Sequence, residues 1–277
     1  MKEFEYLQPE TMQQACSLRA QYGKAAVIYN GGTDIVIQLR ERLISPDYLI
    51  DIKKIPELSK IQFHKTEGLT IGACATAAAI AENADVLAYY PFLSDAAGSI
   101  GSKQVRNRAT CIGNIVNASP LCDTGTPLYA LDATVRIAGQ TGMREVPITE
   151  FITFVRRTVL KEDEIVTAIH VPYVEGTRGV FTKVSRRKEV DLSTICGTVA
   201  LVNGSYRLAF GAVAPTPVRL PKTEALLNEN QLDDKLIEQA AKLARTEVSP
   251  IDDVRASRLY RLDVVEVIVR NSLKALR

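Results

Sequence analysis

The sequence contains no tryptophan, and aromatic residues make up only 6% of it. Its interior must therefore be built mainly from Val, Ile, Leu and Ala. With a hydrophobic fraction of 46% there is ample material for that, and an unfolded chain is excluded. Cysteine is also sparse: Cys16, Cys74, Cys111, Cys122 and Cys196 are odd in number, widely spread and without C-x-x-C spacing. That excludes a disulfide framework. Cys111 and Cys122 lie close in sequence, but two thiols without a second pair read more simply as free buried cysteines. The two histidines, His64 and His170, lack metal-ligand spacing. His170 alternates with Ile169 and Val171 and reads as an outward strand residue. A net charge of +2 offers no electrostatic reason to expect nucleic acid or an anionic membrane. No apolar run approaches the ~20 residues of a membrane span. The opening MKEFEYLQPE lacks the basic and apolar blocks of a signal peptide, so a soluble cytoplasmic protein is expected. Asn117-Ala118-Ser119 and Asn203-Gly204-Ser205 are then chance matches to the glycosylation pattern. Neither G-x-G-x-x-G nor G-x-x-x-x-G-K-[ST] occurs.

What is present suits two domains in 277 residues. Thr11 with Gln14 forms a capping box for a helix that Gly23 ends. Ala25 to Tyr29 predicts a strand, Ile35 to Arg42 a helix, and Tyr48 to Ile52 a second strand. A helix between neighbouring strands implies a parallel crossover. Further strands are expected at Gly68–Ala73, Thr134–Ala138 and Glu164–Val171, the last stopped by Pro172. Helices are expected at Ala77–Asn83, capped by Thr76, at Leu87–Ile100 and around Leu128–Leu131, with a polar loop at Gly101–Ala109. Beyond Pro172–Gly176 the texture changes. Gly179–Val184, Thr194–Val202 and Tyr206–Ala214 suit a meander with a hairpin turn at Asn203-Gly204. Leu232–Arg245 and Ser257–Leu276 are amphipathic helices.

Two stretches carry chemistry. In AAVIYNGGTDIVIQLRER, residues 25–42, Asn30-Gly31-Gly32-Thr33-Asp34 breaks an apolar run between strand and helix. Glycines there allow positive φ and close approach of other atoms, while the helix start offers unpaired N–H groups. This describes a pyrophosphate cradle; a plain tight turn is the alternative. The second stretch, IGSKQVRNRATCIGNIVNASPLCDTGTPLYALDA from Ile100 to Ala133, is rich in Ser, Thr, Asn and Gly between apolar elements. Its many neutral hydrogen-bonding groups favour a ligand with hydroxyls and amide edges, a solvated connection being the alternative.

On these stretches, together with Tyr48–Ile52, Ile71-Gly72-Ala73 and Gly211 to Arg219, the chain resembles the FAD-binding subunits of molybdenum hydroxylases. These are the medium subunit of aerobic carbon monoxide dehydrogenase and the FAD-binding part of xanthine dehydrogenase. The likeness runs through essentially the whole chain. It implies an α+β fold: residues 1–175 form a vanillyl-alcohol-oxidase-type FAD-binding domain of two α/β subdomains. Residues 176–277 then form a C-terminal domain of antiparallel sheet with helices. It implies FAD as cofactor, with Ile28, Tyr29, Asn30, Gly31, Gly32, Thr33, Asp34 and Ile35 wrapping the pyrophosphate through backbone N–H groups. Thr110, Ile112, Gly113 and Asn114 belong to the second phosphate loop, and Ile100 joins the cofactor contacts. Asp123 is implied at the ribose or adenine, Val166 at the adenine, Lys183 near the flavin ring, and Val116 and Glu189 beside it.

One residue departs from the family pattern. Ile112 stands where the second loop, Thr-x-Gly-Gly-Asn, has its first glycine. A β-branched residue is strained at positive φ, so either the backbone there keeps φ negative and the side chain points away, or FAD binding is weakened. The basic triplet Arg186-Arg187-Lys188 reads as a solvated face, a partner contact or a cofactor contact. The resemblance implies an electron-transfer subunit without catalytic acid–base residues or a metal of its own. Its implied partners are an iron–sulfur subunit and a molybdopterin-binding subunit in a heterotrimer, with an external acceptor such as NAD. A docking subunit that has lost its flavin, and a stand-alone flavin oxidoreductase, are the competing readings.

Overall fold

The computed structural model describes residues 2–188 and 190–277. The first elements are β1 (Glu5–Leu7), α1 (Met12–Tyr22), β2 (Ala26–Tyr29), α2 (Ile35–Arg40) and β3 (Tyr48–Asp51). Thr11 caps α1 by accepting from the Gln14 N–H, and the Gln14 side chain reaches back to the N–H of Glu10. Gly23, at φ +47°, stops the helix. The expected parallel crossover is present: β2 runs parallel to β3. The unforeseen β1 joins the other side of β3, giving the order β1-β3-β2.

Next come β4 (Ile61–His64), β5 (Gly68–Gly72), α3 (Ala77–Glu82), α4 (Ala84–Tyr89), α5 (Pro91–Gly98), α6 (Lys103–Arg106), α7 (Cys111–Val116) and α8 (Gly125–Ala130). They are followed by β6 (Thr134–Gly139), β7 (Gly142–Pro147), α9 (Ile148–Phe151), β8 (Ile152–Phe154), β9 (Arg157–Thr158) and β10 (Ile165–Val171). The single helix expected over 87–100 is two, because Pro91 has no N–H to continue α4 and instead starts α5. The polar loop at 101–109 contains α6, capped by Ser102. An antiparallel sheet forms in the order β4-β5-β10-β6-β7, with β10 at its centre. Being central, β10 is buried on both faces except at the half-buried His170.

The remainder is a meander with helices: β11 (Arg178–Val184), β12 (Ile195–Val202), β13 (Ser205–Gly211), β14 (Val218–Arg219), α10 (Pro221–Asn228), α11 (Asp234–Thr246) and α12 (Arg258–Leu276). Val202 pairs with Ser205 across the two-residue turn, where Asn203 and Gly204 both take positive φ. Ile195, Val199, Leu208 and Phe210 of this sheet bury against Ile237, Val265 and Val269 of α11 and α12. The chain is thus an α+β protein. Among the described residues no helix is long and apolar enough to cross a membrane.

Arg261, on the apolar side of α12, is 2% exposed. Its guanidinium donates to the Ala212 carbonyl at 3.0 Å and to Asp253 Oδ1 at 2.6 Å. Burial pushes the Asp253 carboxyl up, but the N–H groups of Arg255 and Ala256 and the Arg261 guanidinium outweigh it and hold the group at about 2. Arg261→Ala should cost about 3 kcal/mol of unfolding free energy in a denaturant titration, because it empties a buried site and strips the Ala212 carbonyl and half-buried Asp253 of their donor. The folded pKa of Asp253 lies below its unfolded value, so its stabilisation is complete above about pH 4 and lost as pH falls towards 2. Asp253→Asn should abolish that part of the acid dependence of stability.

Candidate functional site

A cleft of about 720 Å³ opens between the parallel and antiparallel sheet units. One wall is the end of β2, the 30–34 turn and α2; the other is Val105, Ala109, α7 and the segment 160–166. The turn needs both its glycines. A Cβ on Gly31 would lie 2.1 Å from the Arg108 carbonyl oxygen, so the two loops touch backbone to backbone. Gly32 sits at φ +81°, and a Cβ there would meet the Tyr29 ring at 2.7 Å. Tyr29 is itself held in place: Lys53 Nζ lies 3.8 Å over its ring and donates to Asp51 Oδ1 at 2.6 Å. Buried Asp51 also accepts the Tyr6 hydroxyl. Burial alone would raise the Asp51 carboxyl, but the Lys53 and Tyr6 donors bring it below the usual range; burial and Asp51 push the Tyr6 phenol up to about 12. Among the described residues no acceptor takes the N–H groups of Gly32, Thr33 or Asp34.

The second loop repeats the arrangement at the start of α7. Thr110 Oγ1 accepts from the Gly113 N–H at 2.9 Å, and a Cβ on Gly113 would crowd that same oxygen. The Ile112 N–H meets no acceptor among the described residues, whereas that of Cys111 faces the Ala75 carbonyl across the antiparallel bridge that joins Thr76 to Thr110. Asn30 ties the loops together, its Nδ2 donating to Thr110 Oγ1 at 3.1 Å and to the Ala73 carbonyl. Ile112 is helical, without positive φ, and is 3% exposed in the main core. The first of the two expectations for it therefore holds at the level of backbone conformation. Asn114 turns its side chain inward, Oδ1 accepting from the Thr124 hydroxyl at 2.7 Å and from Cys122 Sγ at 3.0 Å.

Of the residues expected at a site, Ile28, Asn30, Gly31, Gly32, Thr33, Asp34, Ile35, Ile100, Thr110, Ile112, Gly113, Asn114, Val116 and Val166 line this cleft. Val166 lies at a bulge in β10, opposite Ile137. Tyr29 supports the turn from behind. Asp123 and Lys183 lie outside the lining and form a buried ion pair at 2.8 Å. Asp123 also accepts the Ser193 hydroxyl, and Lys183 donates to the Ser99 carbonyl at 2.9 Å. Glu189 lies outside the described residues.

Arg19, Gln38, Arg156, Lys161 and Glu162, which no sequence pattern marks, also line the cleft. Arg156, at a hairpin tip with φ +60°, reaches Asp34 Oδ2 at 3.2 Å and the Asn117 side chain. No local pattern marks such a residue, since its partners come from both loops. Glu164 is clamped by Arg144 at 2.7 and 2.8 Å, which holds its carboxyl below the usual range. The five cysteines are free and buried; burial lifts the Cys74 and Cys111 thiols to about 12. The arrangement offers two sets of converging neutral N–H donors, a rim of mixed charge and polar side chains between apolar walls. That suits an extended nucleotide diphosphate.

Comparison with known proteins agrees. Residues 2–174 match the family model "FAD binding domain in molybdopterin dehydrogenase", and residues 181–276 match "CO dehydrogenase flavoprotein C-terminal domain". The chain is 33% identical over 273 residues to the xanthine dehydrogenase FAD-binding subunit of Escherichia coli O157:H7, covering 96% of this chain and 93% of that one. It is 31% identical over 276 residues to the glyceraldehyde dehydrogenase medium chain of Sulfolobus acidocaldarius, covering 98% of each. Among solved structures, a carbon monoxide dehydrogenase from Hydrogenophaga pseudoflava lacking the Mo-pyranopterin moiety superposes with a TM-score of 0.93 at 30% identity. That match covers 99% of this chain and 96% of that chain.

Ile112→Gly should restore no function to the second loop. It removes a buried side chain and places glycine in a helix, so unfolding should become about 3–5 kcal/mol easier in a denaturant titration.

Proposed function

Given that the chain belongs to the family of FAD-binding subunits of molybdenum hydroxylases, we propose that its cleft holds FAD and that the protein works as an electron-transfer subunit. The observation that carries this is the pair of loops whose free N–H groups face one cleft while packing backbone to backbone. The N–H groups of Gly32 to Asp34 and of Ile112 hold the diphosphate, with Thr110 fixing the second loop. Val166 borders the adenine, and Ile100 and Val116 border the isoalloxazine. Asp123 and Lys183 act on this site through their ion pair behind Ser99 and Ile100. When bound, FAD supplies the ability to take single electrons and deliver them in pairs. The chain's own residues bind it, orient it and exclude water from it.

We read residues 1–175 as a vanillyl-alcohol-oxidase-type FAD-binding domain and 176–277 as the C-terminal domain of this flavoprotein type. The partners are an iron–sulfur subunit, which delivers electrons, and a molybdopterin-binding subunit, which oxidises the substrate. An external acceptor such as NAD receives the electrons, in the cytoplasm. Relatives named medium chains and FAD-binding subunits of dehydrogenases support this assembly. The competing reading, a docking subunit without flavin, rested on Ile112; its helical backbone, without positive φ, favours the flavin-binding reading.

The purified protein should be yellow, with flavin absorption bands at roughly 370 and 450 nm, and acid precipitation should release FAD. A colourless chain that also refuses added FAD would refute the assignment and favour the docking role.

A further inference from the structure

We propose that Arg156 is a cofactor-binding residue: a cationic strap across the mouth of the cleft that pairs with the nucleotide diphosphate. The proposal rests on the FAD reading above and adds a residue to it. The two loops supply neutral N–H donors, which bind a dianion without neutralising it. Arg19, Arg156 and Lys161 are the cations that line the cleft. Arg19 has its Nη1 committed to the Gly23 and Ala26 carbonyls at the end of α1. Arg156 bonds to the first loop and to the far end of α7: its Nη1 donates to Asp34 Oδ2 at 3.2 Å, and to the Asn117 side-chain oxygen and carbonyl.

Its backbone is placed for that purpose. It sits at the tip between β8 and β9 in left-handed conformation, φ +60°, uncommon for a residue with a side chain. Its N–H donates at 2.9 Å to the carbonyl of Ala118, itself left-handed at φ +48°. The hairpin is thereby pinned to the end of α7. Among the described residues the Arg156 Nε and Nη2 meet no acceptor, leaving the planar fork two donor groups for phosphate oxygens. The carboxylates of Asp34, Glu162 and Glu164 also border the cleft, the last clamped by Arg144. Asp34 holds the guanidinium from one side, so that the charge stays at the mouth before the ligand arrives.

The test uses the purified protein stripped of flavin, with FAD affinity followed by flavin fluorescence at low and high salt. Arg156→Gln keeps hydrogen-bonding capacity and removes the charge. It should weaken FAD binding about tenfold at low salt, and the gap should shrink at high salt as screening replaces the lost attraction. Arg156→Lys should recover part of the loss. The thermal midpoint of the flavin-free protein should be the same for all three chains. Unchanged affinity in Arg156→Gln, or a loss of equal size at both salt concentrations, overturns the strap. A wild-type protein that takes up no FAD overturns the flavin reading itself, and the strap with it.

Discussion

The contact on which the cleft depends is between two stretches of main chain. Gly31 and the Arg108 carbonyl approach so closely that a single methyl group would occupy the oxygen's place. Everything at the site is registered by that contact. It brings the start of α2 and the start of α7, which belong to different sheet units, within reach of one ligand. Asn30 then bonds across the seam to Thr110, whose hydroxyl oxygen also caps Gly113. One side chain thus fixes the distance between the loops and the aim of the second. Behind the first loop a relay of Tyr6, Asp51, Lys53 and Tyr29 fills the space beside Gly32, so the left-handed turn is wedged rather than merely permitted.

A second constraint comes from the C-terminal sheet. Asp123 is buried and its partner Lys183 of β11 is largely covered, and such an ion pair is tolerable only when its remaining valences are filled. They are: Ser193 donates to Asp123, and Ser99 accepts from Lys183. Because Ser99 precedes Ile100, this pair braces the segment that fronts the cleft. Gly179 of β11 lies flat against the Phe92 ring of α5, and Thr126 meets Thr198 at 2.9 Å in the same seam. The meander therefore serves as a rigid back plate for the binding unit.

Much of this was legible in the residues. Caps at Thr11 and Thr76, the glycine turn, the parallel crossover and the Asn203-Gly204 hairpin are local events, governed by residues within a few positions of one another. The elements that were missed depend on distant partners. The strand β1 is three residues long and exists because β3 offers a free edge. Arg261 reads as a charged interruption of an apolar stripe until the Ala212 carbonyl and Asp253 are brought beside it. Asp123 and Lys183 matched family positions, but sequence cannot show two such positions neutralising each other. Ile112 shows the converse: what read as a defect in a motif is an ordinary core residue once the backbone there is helical.

The electrostatics of the cleft bear on what kind of protein this is. Proton transfer near neutral pH needs a group whose pKa lies close to 7. Glu164 is tied to Arg144 and pulled down; Asp51 is pulled down by Lys53 and Tyr6. The Cys111 thiol is raised by burial, and burial together with Arg136 lowers the His170 imidazole from outside the cleft. Each of these shifts moves a group away from neutrality, towards a fixed charge state. Groups held in fixed charge states around a cleft suit the binding of a charged nucleotide in one geometry and one field. On the reading proposed above, this cleft serves to hold a flavin in one field, and chemistry on an organic molecule belongs to a partner subunit.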